Sequence, residues 1–208
     1  EIISIRKYLQ SKNKNNSEDN LDEWIRMVAT NRLTGHSKGY FSVYTLPPNQ
    51  AVSLESQKKI NIKRSQKPEY RDTRKIILKK TESLIKDLDD KLKNNLTAAK
   101  KLSIFLEEDS RQTSKIESNS IQLTVTSPPF LDTVQYANDN WLRCWFNSID
   151  SKEIGRRITM AKKLDDWKKI MEDTLKELYR ITRPGGFVAF EVGEVKSGKI
   201  KLDEEIAP

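Results

Sequence analysis

Four consecutive residues, Ser127-Pro128-Pro129-Phe130, offer chemistry that few other stretches of this chain can. They follow the apolar run Ile121-Gln122-Leu123-Thr124-Val125 and Thr126. A β-branched run that stops at two prolines predicts a buried strand over 121–126 ending in a rigid corner. Proline has no N–H to continue a sheet ladder, and its φ is fixed. Ser127 precedes a proline and is held extended. The corner therefore presents a hydroxyl, unpaired carbonyls and an aromatic ring at the carboxyl end of a strand, where open α/β sheets bind ligands. A planar heterocycle with an exocyclic amine suits such a corner. Its nitrogen lone pair is delocalised into the ring. Hydrogen bonds accepted from the amine by Ser127 Oγ and by the Ser127 or Pro128 carbonyl would draw the nitrogen toward tetrahedral geometry and free that pair. Stacking on Phe130 would add about 1–3 kcal/mol. Setting the nitrogen in line with an activated methyl group is then chiefly a matter of position.

This motif and two blocks around it resemble the amino-methylating DNA methyltransferases, which use S-adenosylmethionine (SAM) and carry a Ser/Asp/Asn-Pro-Pro-aromatic tetrapeptide. Downstream, Asp165-Asp166-Trp167 through Leu178-Tyr179-Arg180-Ile181-Thr182-Arg183-Pro184-Gly185-Gly186-Phe187-Val188-Ala189-Phe190 is similar to that family's next helix, Pro-Gly-Gly turn and strand. Upstream, Ile104-Phe105-Leu106-Glu107-Glu108-Asp109-Ser110 is similar to the strand and acidic turn that approach the adenine of SAM. The blocks keep the family's order and cover roughly residues 102–195.

The resemblance implies methyl transfer from SAM to the exocyclic amine of a flipped base in DNA. Ser127, Pro128, Pro129 and Phe130 would form the catalytic motif, with Asp109 and Thr126 beside the cofactor. Serine in the first motif position is commoner among cytosine-N4 enzymes, so cytosine N4 is expected ahead of adenine N6. Related alternatives are methylation of RNA guanine N2 or of a protein glutamine amide, whose enzymes generally carry Asn or Asp before the prolines. A different class is a non-catalytic nucleic-acid-binding remnant of the same fold. Asp109 has its own alternative, a solvated turn residue or helix cap.

The elements that must hold these groups follow from periodicity. The implied fold is α/β, an incomplete Rossmann-like sheet flanked by helices over 102–208, preceded by a basic, mainly helical region over 1–101. Helices are expected near 1–10, 21–32, 53–64, 70–92, 139–147 and 165–181, and strands at 102–106, 121–126 and 187–192. Their alternation argues for a doubly wound sheet. In the helix from Leu21 to Arg32, Asp19 or Asn20 is the cap, and Leu21, Trp24, Ile25 and Val28 form the buried face. Gly185-Gly186 should end a helix with a left-handed residue and enter a strand.

Ahead of the helix at 139–147, Tyr136 and Asn138 stand where they could touch substrate at the pocket mouth. The spacing of Trp141, Leu142 and Trp145 reads as core. Cys144, between Arg143 and Trp145, reads as a packed residue rather than the thiolate needed to attack cytosine C5. The stretch from Gly35 to Asn49 combines glycines, aromatics and Pro47-Pro48 and reads as a turn, a short strand and a stiff exit loop beside the pocket. It contains His36, the only histidine. No base is required of it, because an amine can lose its proton after the methyl group arrives.

The formal net charge is +8. Residues 56–101 hold fifteen Lys or Arg against six Asp or Glu, or +9, so the remainder is near neutral. That segment reads as a surface for double-stranded DNA. Its affinity should fall with salt, by a log–log slope of about −0.9 per neutralised phosphate. No apolar run approaches the ~20 residues of a membrane span, and no signal-peptide pattern opens the chain. One Cys and one His cannot close a zinc site. A single cysteine also allows no internal disulfide and fits a cytoplasmic protein. The glycines stand at 35, 39, 155, 185, 186, 193 and 198. None forms the Phe-x-Gly-x-Gly turn by which the family approaches the methionine part of SAM. A piece of a larger protein or an incomplete gene product, with that turn upstream of Glu1 and with weak SAM binding and little turnover on its own, is the expectation.

Overall fold

The structure, a computed structural model, describes residues 1–35, 37–42, 52–67, 69–131 and 136–206. It is mixed α/β and divides into two compact units, Glu1–Lys101 with Gln135–Arg157, and Leu102–Val134 with Ile158–Pro208. The segment carrying Tyr136 and Asn138 therefore clusters with the basic N-terminal region, not with the motif that precedes it in sequence.

The first unit is helical: α1 (Ile2–Lys14), α2 (Asn20–Arg32), α3 (Leu54–Lys63), α4 (Thr73–Ile85), α5 (Asp90–Leu102), α6 (Tyr136–Asp139), α7 (Trp141–Asn147) and α8 (Ser151–Arg157). Asp19 begins α2 with a reciprocal capping box: its side chain accepts from the Asp22 N–H while Asp22 accepts from the Asp19 N–H. Leu9, Ala29, Leu33, Phe41 and Phe146 form the core, with Ile76, Ile77 and Leu142 packed around it. Leu21, expected inside, is exposed, while Val28 is buried. One helix was expected over 70–92, and two are found. Asp72 caps the first through the N–H groups of Arg74 and Lys75. The chain turns at 86–89, where the Asp89 carboxylate accepts the Leu92 N–H at 2.6 Å and starts α5. A short polar residue serves the orphan donors of a new helix better than it serves a helix interior.

The second unit holds β1 (Ile121–Thr126), α9 (Leu164–Ile181), β2 (Thr182–Phe190), the short pair β3 (Glu194–Val195) and β4 (Ile200–Lys201), and α10 (Leu202–Ile206). β1 and β2 pair in parallel, from Leu123 opposite Phe187 to Thr126 opposite Phe190. Between Ile121 and Leu123 the register jumps, so Arg183 to Gly186 bulge out of the ladder. Gly185 takes φ +76° there, a left-handed angle natural to glycine. A Cβ on Gly186 would lie 2.9 Å from the Arg183 carbonyl oxygen, so the pair shapes a bulge inside β2 rather than a helix end.

The core of this unit joins Leu131, Ala161, Trp167, Met171, Val195 and Leu202, with Phe130 and Phe190 against it. Phe190 thus turns one sheet face toward α9, while the other face is bare: Leu123 is 57 % exposed, Val125 75 % and Phe187 67 %. The strand expected at 102–106 does not form. α5 runs to Leu102, residues 103–106 lie outside any strand, and Phe105 is 94 % exposed. An apolar run becomes a strand only where a neighbouring strand takes its N–H and C=O groups, and among the described residues none does.

Candidate functional site

β1 forms over Ile121–Thr126 as expected, but it is not the buried strand expected, since none of its residues is buried. Thr126 ends the strand with its carbonyl accepting the Glu191 N–H at 2.9 Å, which ties the carboxyl ends of β1 and β2 together. Ser127 is exposed, Pro128 is buried, and Pro129 and Phe130 are half-buried. The buried Trp167 on α9 donates its indole N–H to the Pro129 carbonyl at 2.9 Å. That bond satisfies both a buried donor and a carbonyl that no ladder can use. Among the described residues the Ser127 hydroxyl has no hydrogen-bond partner.

Phe130 is placed differently from a free stacking platform. Its ring lies over Gly193, where an added Cβ would sit 3.1 Å from Cε2. Its body packs against the Leu131–Trp167 core. Trp167 and Gly193 are thus the supports of the corner, and no role was read for either from sequence. The available signal was compositional: a tryptophan in the first turn of a helix, on the apolar face, following two acidic residues.

Asp109 does not join Ser127. It lines a cavity of about 550 Å3 with Arg111, Asp173, Lys176, Glu177 and Arg180. Arg111 grips both carboxylate oxygens, Nε to Oδ1 at 2.9 Å and a terminal nitrogen to Oδ2 at 2.5 Å. This pairing, with the Arg111 backbone N–H, lowers the Asp109 pKa to about 2. Arg180 fixes where the cavity lies. It donates to the Thr113 carbonyl at 3.1 Å, the Ile116 carbonyl at 3.0 Å and Ser118 Oγ at 3.0 Å. Its own carbonyl accepts the Asn119 N–H, two residues before β1 begins. Asp109 is therefore at the amino end of the sheet, and Ser127 is at the other end of a strand roughly 20 Å long.

Glu177 completes that amino-end network. It accepts from the Thr113 N–H at 2.7 Å, the Thr113 hydroxyl at 2.6 Å and Arg180 Nε at 2.9 Å. Arg180 and Thr113 together hold its pKa down to about 2.

Tyr136 and Asn138 lie on α6 of the first unit, Tyr136 half-buried and Asn138 exposed. The Tyr136 carbonyl accepts the Asn140 side-chain amide at 2.9 Å. Cys144 is half-buried on α7. His36, and most of the stretch to Asn49, fall outside the described residues. Of the fifteen basic residues over 56–101, all but Arg71 and Lys80 are exposed, and α5 buries nothing. No helix among the described residues is long and apolar enough to cross a membrane. The described residues also contain no group of three His, Cys, Asp or Glu able to hold a metal ion. No protein-family model, curated protein or solved structure matches the chain.

Proposed function

We propose that the chain carries the amine-recognition corner of a SAM-dependent DNA methyltransferase, with cytosine N4 as the target ahead of adenine N6. The observation that carries this reading is the Ser127 corner: an exposed, unpartnered hydroxyl at the carboxyl end of a parallel strand, braced by the Pro129–Trp167 hydrogen bond. On this reading β1 and β2 belong to a Rossmann-like sheet. The bare face of Leu123, Val125 and Phe187 agrees with it, because parallel sheets are normally covered on both sides.

Ser127 Oγ would accept one amine hydrogen of the flipped base and a neighbouring free carbonyl the other. Flipping costs a few kcal/mol, least where the base is already unpaired. The exposed lysines and arginines of α3 to α5 would follow the phosphates of double-stranded DNA. The residues expected beside SAM do not fit it: Asp109 is filled by Arg111 at the opposite end of β1, and the Thr126 carbonyl is filled by Glu191. The resemblance alone points to SAM as the methyl donor. The same placement of Asp109 favours a second reading, a nucleic-acid-binding part without catalysis of its own.

Expression of the gene, together with any coding sequence in frame upstream of Glu1, in cells whose own DNA lacks methylated amines tests both. After digestion to nucleosides, mass spectrometry should find N4-methylcytosine with the natural sequence and roughly 100-fold less with Ser127→Ala. If the natural sequence leaves no methylated nucleoside, the enzymatic reading fails. Salt-dependent binding of duplex DNA by the chain would then support the binding part.

A further inference from the structure

The first unit contains a cavity of about 530 Å3, within the range of small-molecule sites, whose wall is mostly apolar. Leu33, Phe41, Leu142, Trp141 and Trp145 supply that wall. The two tryptophans stand four residues apart on α7, one helical turn, and so share a face.

These rings are held before any ligand arrives. The Arg6 guanidinium sits 4.7 Å from the Trp145 ring centre, and Arg6 Nε donates to the Trp145 carbonyl at 2.6 Å. The Trp141 indole N–H donates to the Val52 carbonyl at 3.3 Å. The side-chain charges on the wall are already answered, Glu69 by Arg71 at 3.6 Å. The Glu1 carboxylate accepts from the Tyr70 hydroxyl at 2.5 Å and from the Thr73 N–H and hydroxyl at 2.9 Å each. Arg71 donates to the Ser37 and Tyr40 carbonyls at 3.2 and 2.9 Å.

One polar group on this wall is unanswered. Thr34 is 9 % exposed, it lines the cavity, and among the described residues its hydroxyl has no hydrogen-bond partner. Buried hydroxyls are rarely left so, and an orphan in a cavity calls for a partner from outside the chain. An aromatic wall with satisfied charges selects a flat, uncharged molecule, and the orphan hydroxyl selects one with a hydrogen-bonding edge. We propose that this cavity binds a single neutral heteroaromatic ring of the nucleobase class, stacked on the α7 tryptophans with its polar edge at Thr34. The proposal is independent of the Ser127 reading.

Adenosine and cytidine, titrated separately into the chain with tryptophan fluorescence as readout, test it. Saturable quenching is expected, with a Kd on the order of 0.1–1 mM for ligands of this size. Trp141→Phe should reduce the signal amplitude. Thr34→Val should weaken binding about tenfold, the worth of one hydrogen bond, while Thr34→Ser restores it and Ser127→Ala leaves it unchanged. Circular dichroism establishes that each variant is folded. A short single-stranded oligonucleotide that half-saturates well below the nucleosides would show that the ring arrives on a nucleic-acid strand. Nucleoside binding without oligonucleotide binding would assign a free small molecule. Absence of saturation by either nucleoside or the oligonucleotide overturns the proposal. So does equal binding of toluene together with a silent Thr34→Val, which would mark a plain apolar cavity.

Discussion

At the amino end of β1, Asp109 pairs with Arg111, Glu177 accepts from four donors on Thr113 and Arg180, and Arg180 reaches three positions of the segment 113–118. At the carboxyl end the backbone is braced as firmly, by Trp167 on Pro129 and Glu191 on Thr126, yet among the described residues the Ser127 hydroxyl has no partner. Both ends are rigid, and they differ in what remains to be satisfied. A saturated charge network lowers the free energy of the folded chain and has little left for a ligand. A fixed corner with a spare hydroxyl does little for the fold and keeps its hydrogen-bonding capacity for something that arrives. Perturbed carboxylates mark functional sites only in probability, since structural ion pairs shift pKa values as well. Here the shifted carboxylates Asp109 and Glu177 stand at the end that is closed by its own partners.

Trp167 gives the largest test, because it supports the open end through packing and a hydrogen bond together. Trp167→Ala removes a ring that is almost fully buried and should cost about 3–5 kcal/mol in denaturant unfolding. Trp167→Phe keeps most of the packing and drops the bond to Pro129, for a cost of about 1 kcal/mol or slightly more. If Trp167→Phe costs nothing measurable while Trp167→Ala costs the full amount, packing alone holds the corner and the Pro129 brace does not. At the closed end, Arg180→Ala should free the 113–118 segment. Limited proteolysis there should run roughly tenfold faster while cleavage elsewhere changes little. Uniform acceleration along the chain would show Arg180 acting on the whole unit rather than on that segment.

Acid separates the ends further. The folded pKa of Glu177 lies near 2, below its ordinary 4.5, so the ionised carboxylate favours the folded state. Its contribution is complete above pH 4.5 and is lost as pH falls toward 2. Glu177→Gln should therefore lower stability at neutral pH and flatten the acid limb between those values. Asp109 titrates in the same window, so the difference between the variant and the natural chain is the quantity that isolates Glu177.

What the sequence made legible was local. A β-branched run cut off by two prolines marked β1 and its corner, and the apolar periodicity from Asp165 onward marked α9 to within one residue of its observed Leu164–Ile181. The break between α4 and α5 was harder to see, because Lys and Asp at 86–90 suit a solvated helix face as well as a turn. Pairing between distant segments was not legible at all. Residues 102–106 have strand-like composition, but composition does not say whether a partner strand lies beside them, and Phe105 stands in solvent instead. The Glu177–Arg180 ion pair was not anticipated, although its i, i+3 spacing is a local one. Their reach to Thr113, 64 and 67 residues away, did not appear in any local pattern. Asp109 was misplaced for the same reason. Arg111 two residues on was a visible local partner, and the end of the sheet they occupy was not.

The smallest expected effect on folding belongs to Ser127. Its side chain is exposed and makes no hydrogen bond among the described residues, so Ser127→Ala should change unfolding stability by no more than about 0.5 kcal/mol. Ser127→Val adds a test of shape. A β-branched residue is comfortable in the extended conformation that the following proline imposes, so the corner should persist while the hydroxyl is lost. Methylated nucleoside yield should collapse in both variants although their melting curves overlay the natural one. That separation of stability from yield is the signature of a group held for a ligand. Were Ser127→Ala to destabilise the chain as Trp167→Phe does, the hydroxyl would belong to the fold, and the two ends of β1 would differ only in which partners close them.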